Sequence, residues 1–226
     1  MATQPTGARL TAVCVVHKPI AGPKRVGQTA IDKRPVSDSA QAGPLGLGGD
    51  HVCDIENHGG VEQALYAYAD EDAAWWADHL QRDIPPGLFG ENLRTTGVDV
   101  TGAEIGERWR IGGQDGRDGV LVQVTSPRIP CVTFAERMAE PHWVKRFTER
   151  GLPGAYLAVV ESGALRAGDP VTIAFRPGHG VTIGDAFLRP QPAAMQRLLD
   201  ADGSAGFSLT PRMRDYASRR AAAARR

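Results

Sequence analysis

The sequence predicts a mainly β, α+β fold: a barrel or strongly curved sheet with a few helices and a small C-terminal helical appendage. Three observations lead there. Short apolar runs rich in valine, isoleucine and threonine recur through the first three quarters of the chain. Glycine and proline, 27 and 16 residues, punctuate those runs as turns. Beyond Phe175 the strand-like runs give way to helical spacing. Many short strands between turns favour closure or curvature over βαβ winding, which needs a helix between successive strands.

In chain order, Arg9–His17 (RLTAVCVVH) reads as a buried strand, being short, apolar and β-branched. Gly27–Val36 follows as one strand that Pro35 ends or pushes to an edge. The runs ERWRIGG, GVLVQVTS, GAYLAVVESG and GDPVTIAF supply further strands. Val61–Gln81 predicts a helix, because Leu65, Tyr68, Trp75, Trp76 and Leu80 lie close to helical spacing and Pro85-Pro86 stops it. Pro141–Gly151 predicts a second helix, ending on glycine. RPGHG then reads as a hinge between a β-rich unit, 1–175, and three short helices within 176–226. The last of these has Thr210 as N-cap and Pro211 in the first helical position.

Composition excludes several functions. Lys+Arg and Asp+Glu are equal at 26 each, which argues against a nucleic-acid binder or an anionic-membrane surface protein. No apolar run approaches the roughly 20 residues of a bilayer span, and MATQPTGARL lacks the apolar core of a secretory signal. The cysteines, at 14, 53 and 131, are odd in number and lack C-x-x-C spacing, so neither a disulfide framework nor a zinc knuckle is expected. A reducing, cytoplasmic location is the simplest expectation.

Cys131 stands apart. It follows Pro-Arg-Ile-Pro at the end of an apolar run, and Thr133-Phe134-Ala135-Glu136 after it has the form of a capping box. A helix starting there would place Cys131 just outside a positive dipole end, with Arg128 three residues upstream. Both favour the thiolate, a better nucleophile and soft-metal ligand. The alternative is a small buried hydrophobe. That alternative suits Cys14 better, inside TAVCVV, and Cys53 reads as a spectator.

The glycine-rich stretch Gly43–Gln63 carries Asp50, His51, Asp54 and His58, then Gly59-Gly60. The glycines would let a ligand approach, and the acids and histidines could hold a hard metal. A turn-rich surface loop is an equal reading. Lys33-Arg34, at a strand end, would grip a phosphate unless merely solvated. Glu91 and Asn92 lie in a glycine-flanked loop, as a plain turn or as polar lining of a pocket.

In this order, IDKRPV, GLGGDHVCDIENHGG, LFGENL, IGERWRIG and VTSPRIPC make the chain resemble the MOSC domain family, and within it single-domain bacterial members of the YiiM type. The likeness runs over nearly the whole chain, including a three-helix extension. It implies a MOSC-type β-barrel-like domain that binds the molybdenum cofactor, a molybdopterin bearing one phosphate, with no pyridoxal phosphate required. Carried over by residue, Cys131 would ligate molybdenum. Lys33, Arg34 and Arg128 would hold the phosphate or pyran face. Asp50, Asp54, His58, Gly59, Gly60 and Asn92 would line the cofactor and substrate cleft. The implied activity is reduction of N-hydroxylated compounds (purines, hydroxylamines, amidoximes) to amines, with Asp54 or His58 as proton source. Asn57 and Ile129 depart from the family pattern and would reshape the substrate pocket.

No dinucleotide fingerprint or iron–sulfur spacing occurs, so a separate flavin or iron–sulfur reductase is the implied electron donor. A homodimer through the helical tail is left open. A rival reading is a sulfur carrier with a persulfide on Cys131; a third is a module that binds or stores the cofactor.

Overall fold

The structure, a computed structural model, describes residues 7–24, 27–53, 59–113, 119–188, 190–204 and 206–222. The first strands are β1 (Arg9–Val16), β2 (Ile20–Ala21), β3 (Gln28–Thr29), β4 (Lys33–Pro35), β5 (Ser39–Gly43) and β6 (Gly46–Leu47). A 3-10 turn, Val61–Gln63, leads into β7 (Leu65–Ala69), α1 (Asp70–Leu80), β8 (Leu93–Thr96), β9 (Arg108–Ile111) and β10 (Val120–Pro127). Helices α2 (Val132–Met138) and α3 (Trp143–Arg150) precede β11 (Ala155–Glu161), β12 (Gly163–Arg166) and β13 (Val171–Phe175). The chain continues through α4 (Ile183–Phe187), α5 (Pro192–Ala201) and α6 (Pro211–Ala222).

Eight strands form one sheet in the order β13-β9-β10-β11-β7-β8-β1-β4, and β12-β5-β6 and β2-β3 form two small sheets. Pairing is antiparallel except between β7 and β8. The large sheet curls back on itself. Val171 N donates to Ala8 O and Leu10 N to Asp169 O, each at 2.9 Å, so the β13 edge returns to the start of β1. The fold is α+β with a barrel-like sheet, as the sequence predicts.

Two expected elements come out differently. The helix over Val61–Gln81 is helical only from Asp70; Leu65–Ala69 is a central strand, buried at every position and flanked by β11 and β8. A continuous apolar run reads alike as buried strand or buried helix, and periodicity does not separate them. Asp70, Glu71 and Asp72 then favour the N-terminus of α1. Gly27–Val36 is not one strand either: Ala30–Asp32 interrupts it, and β3 and β4 pair with different partners.

One apolar cluster joins the sheet interior, Trp109, Val122 and Val124 among it, to Ile183, Met195, Leu198, Phe207 and Met213 of the C-terminal segment. Thr210 caps α6 as predicted, its Oγ1 accepting from Met213 N at 3.3 Å. A second cluster is aromatic. Tyr66, Tyr68, Trp76, Phe89, Phe134, Trp143 and Phe147 pack α1, α2 and α3 against β7.

Glu91 anchors the loop between these clusters. It is fully buried and accepts from Gly87 N at 2.7 Å, Phe89 N at 3.0 Å and Arg94 Nε at 2.9 Å, with Arg94 Nη2 also paired to it. It is a structural carboxylate and not part of a pocket wall. Glu91→Ala should leave the buried Arg94 guanidinium without its main partner and cost about 3–5 kcal/mol, read as a lowered midpoint in urea denaturation.

Candidate functional site

A cleft of about 120 Å³ opens where three segments converge. Thr29–Ile31 and Lys33 form one wall, Asp50–Cys53 with Gly59 a second, and Arg128, Cys131 and Thr133 a third. Tyr66, Asn92 and Tyr156 come from strands or strand ends of the large sheet.

The first two walls are locked by Asp50. Its carboxylate accepts from Val16 N at 2.9 Å and Asn92 Nδ2 at 2.7 Å, and is ion-paired to the buried Lys33 ammonium. Asn92 Nδ2 also lies 3.2 Å from Cys14 O, and its Oδ1 accepts from Tyr66 N at 3.2 Å. Gly87 permits the close approach behind Lys33. Its φ is +86°, and a Cβ there would come 2.3 Å from the Lys33 carbonyl oxygen.

The third wall is built on Arg128, which is 4% exposed. Its guanidinium carbon lies 3.6 Å from the Phe134 ring centroid, with Tyr66 at 5.7 Å and Phe147 at 5.8 Å. The group hydrogen-bonds the Tyr156 phenol. Its Nη1, however, is buried with no hydrogen-bond partner. Burial pushes the Tyr156 phenol pKa up against the pull of Arg128.

Cys131 is half-buried, lines the cleft and is itself the N-cap of α2, with φ −123° and ψ 174°. Its side chain makes no capping bond to the helix. The expected capping box on Thr133 is absent. α2 starts at Val132, so Thr133 is already helical and its side chain turns to the cleft. Cys131 itself takes the extended backbone of the cap position, so Thr133 falls inside the first turn and cannot cap.

Lys33, Asp50, Gly59, Asn92, Arg128 and Cys131 thus meet in one cleft. Arg34 and Gly60 do not line it: Arg34 is exposed and its Nη2 lies 3.4 Å from Asp32 Oδ2. Asp54, Asn57 and His58 lie outside the described residues. Among the described residues, no three His, Cys, Asp or Glu side chains cluster to hold a metal ion. Cys14 is core, its thiol pushed up to about 12 by burial first and by the Glu91 carboxylate next. Cys53 is exposed yet lines the cleft. Tyr66, Tyr156, Gln63 and Thr133 were not marked by sequence. The tyrosines sit in runs that read only as strand, and nothing local says which face meets a cleft. No described helix is long and apolar enough to cross a membrane.

The cleft, lined by Cys131, Lys33 and Arg128, sits on a curved, β-rich α+β domain. The MOSC domain model matches residues 54–172, just over half of the chain, and the chain belongs to the MOSC domain family. It is 30% identical over 156 residues to the uncharacterized protein YflK of Bacillus subtilis (strain 168), spanning 69% of this chain and 68% of YflK. It is 28% identical over 162 residues to protein YiiM of Escherichia coli (strain K12), spanning 70% and 69%. A protein named reductase from Gibberella moniliformis is 32% identical over 138 residues, and the match spans 58% of this chain and 23% of that protein. The crystal structure of YiiM from Geobacillus stearothermophilus superposes with a TM-score of 0.73 at 24% identity, covering 94% of this chain and 98% of that one, a likeness of fold.

Two predictions follow from this geometry. Iodoacetamide at pH 7.5 should label Cys53 in the native protein and spare Cys14 until the chain is unfolded, read by peptide mass. Asp50→Ala should unpair the buried Lys33 and cost about 3–5 kcal/mol, read by chemical denaturation.

Proposed function

We propose that this chain is a molybdenum-cofactor-dependent oxidoreductase that reduces N-hydroxylated compounds to amines. The observation that carries the reading is the meeting of a thiol, Cys131, with an aromatic-backed guanidinium, Arg128, whose Nη1 is buried and unpartnered in the same cleft. Membership of the MOSC family and the relative named reductase support it.

The residues fit the cofactor. Cys131 offers a soft thiolate for molybdenum. Arg128 offers positive charge for the phosphate or pterin, its orphaned Nη1 being a donor without an acceptor, and Lys33, held by Asp50, would add a hydrogen-bond donor. When bound, the cofactor supplies the two-electron oxygen-transfer chemistry, which the protein side chains lack. Asp50 holds Lys33 and keeps two walls in register. Phe134 and Tyr66 flank the Arg128 guanidinium, shielding it from water. The Tyr156 phenol, raised by burial, lines the cleft as a neutral hydroxyl hydrogen-bonded by Arg128. Asp54 or His58 would supply the proton to a departing oxygen.

Reduction of an N–OH group to N–H takes two electrons and two protons and releases water. The electrons would come from a separate flavin or iron–sulfur reductase, with a cytoplasmic setting for both proteins.

Wild type and Cys131→Ala, produced in a host that makes the cofactor, test the reading by molybdenum content per chain. Near-stoichiometric metal in wild type, lost in the variant, is the expected result, together with benzamidoxime reduction under a chemical electron donor. A folded wild type with neither metal nor turnover sinks the proposal, and a persulfide mass on Cys131 would replace it with sulfur transfer. Arg128→Met should lower metal and pterin retention together in the same assay.

A further inference from the structure

Thr125 stands at a fault in the strand that leads to Arg128 and Cys131. Val124 pairs with Leu157 and Ser126 with Tyr156, so β10 carries one residue more than β11 between those pairs, and Thr125 is that residue. A β-bulge of this kind re-aims a side chain out of the regular pleat. The group aimed here is a hydroxyl. Thr125 is 2% exposed, and its Oγ1 lies 2.7 Å from the Glu62 carbonyl oxygen and 3.0 Å from that of Tyr156. A hydroxyl has a single hydrogen, so the two carbonyls share one donor.

Both carbonyls belong to segments that line the cleft. Glu62 is the middle residue of the 3-10 turn Val61–Gln63, which packs on β11. Gly59 before the turn, Gln63 at its end and Ala64 after it all line the cleft, and so does Tyr156. The turn has little else to hold it. Gly60 enters it at φ +77°, Val61 is 57% exposed, and Gln63 N donates back to Gly60 O at 3.1 Å. Glu62 Oε2 and Gln63 Oε1 have no hydrogen-bond partner. Among the described residues, Thr125 is the one side chain that hydrogen-bonds the turn. Without its hydroxyl, the Glu62 carbonyl loses that donor, and water replaces it most readily if the turn swings outward.

We propose that Thr125 is a positioning residue. Its hydroxyl holds the turn that follows Gly59 against the strands leading to Arg128 and Tyr156, and this sets the width of the cleft and the access to Cys131. Thr125 acts through the wall it holds and needs no contact with a ligand. Its effect on turnover rests on the reductase reading; its effect on the thiol does not.

Thr125→Val keeps the shape of the side chain and removes the hydroxyl, whereas Thr125→Ser keeps the hydroxyl. Each full-length protein, made without the cofactor, would be alkylated with iodoacetamide at pH 7.5, and the rates at Cys131 and Cys14 read by peptide mass. Cys14 is fully buried in β1 and reports unfolding. The expected result is about five- to tenfold faster labelling of Cys131 in Thr125→Val, the wild-type rate in Thr125→Ser, and Cys14 spared in all three. In protein from a cofactor-producing host, KM for benzamidoxime should rise by a similar factor in Thr125→Val, with kcat and molybdenum content kept. A Thr125→Val protein equal to wild type in labelling and KM overturns the inference, as does a Thr125→Ser protein that behaves like Thr125→Val. Cys14 labelled along with Cys131 would make Thr125 a residue of stability alone and overturns it too. A wild type that turns over no benzamidoxime overturns the reductase reading, and the labelling rates then decide the role of Thr125 by themselves.

Discussion

The Asp50 carboxylate is the constraint on which the cleft depends. It gathers a backbone N–H from β1, the Lys33 ammonium from β4 and the Asn92 amide from the approach to β8. Those three segments are far apart in sequence and would otherwise meet only through backbone pairing. A carboxylate with three donors keeps its charge buried at low cost, and each donor is fixed in direction. Lys33 is thereby fixed in a buried, neutralised pair, not a mobile surface lysine. The glycine loop that carries Asp50 becomes a wall of the site for the same reason.

The opposite wall uses a different device. Arg128 has no carboxylate partner among the described residues; aromatic faces hold it, Phe134 closest. Aromatic backing desolvates a guanidinium without consuming its donors, whereas a carboxylate would consume them. The result is an inward-facing cation with a donor to spare, beside a half-buried thiol. The two walls divide the work: one is rigid and internally neutralised, the other positive and unsatisfied. A ligand combining an anionic group with a soft metal centre suits that division.

The aromatic cluster links this chemistry to the helices. Phe134 belongs to α2, whose N-cap is Cys131, and Phe147 belongs to α3; both touch the Arg128 guanidinium and pack on Phe89 and Trp143. The sulfur's position is therefore set by core packing as much as by the two prolines before it. The Glu91–Arg94 pair holds the loop bearing Phe89 from the other side.

The sequence by itself determined the curved β-rich class, most strands, the capped last helix and the family. It also marked Lys33, Asp50, Asn92, Arg128 and Cys131, because short apolar runs, glycine turns and a proline-framed cysteine are local signals. Tertiary structure decided the rest. Leu65–Ala69 became a central strand because both its faces are buried, which periodicity cannot reveal. Arg34 turned away while its neighbour Lys33 turned in, since adjacent strand residues point to opposite faces and only pairing fixes which face meets the cleft. Tyr156 and Gln63 joined the site through cross-strand register and the Thr125 tie, contacts between residues too far apart in sequence for any local pattern to record.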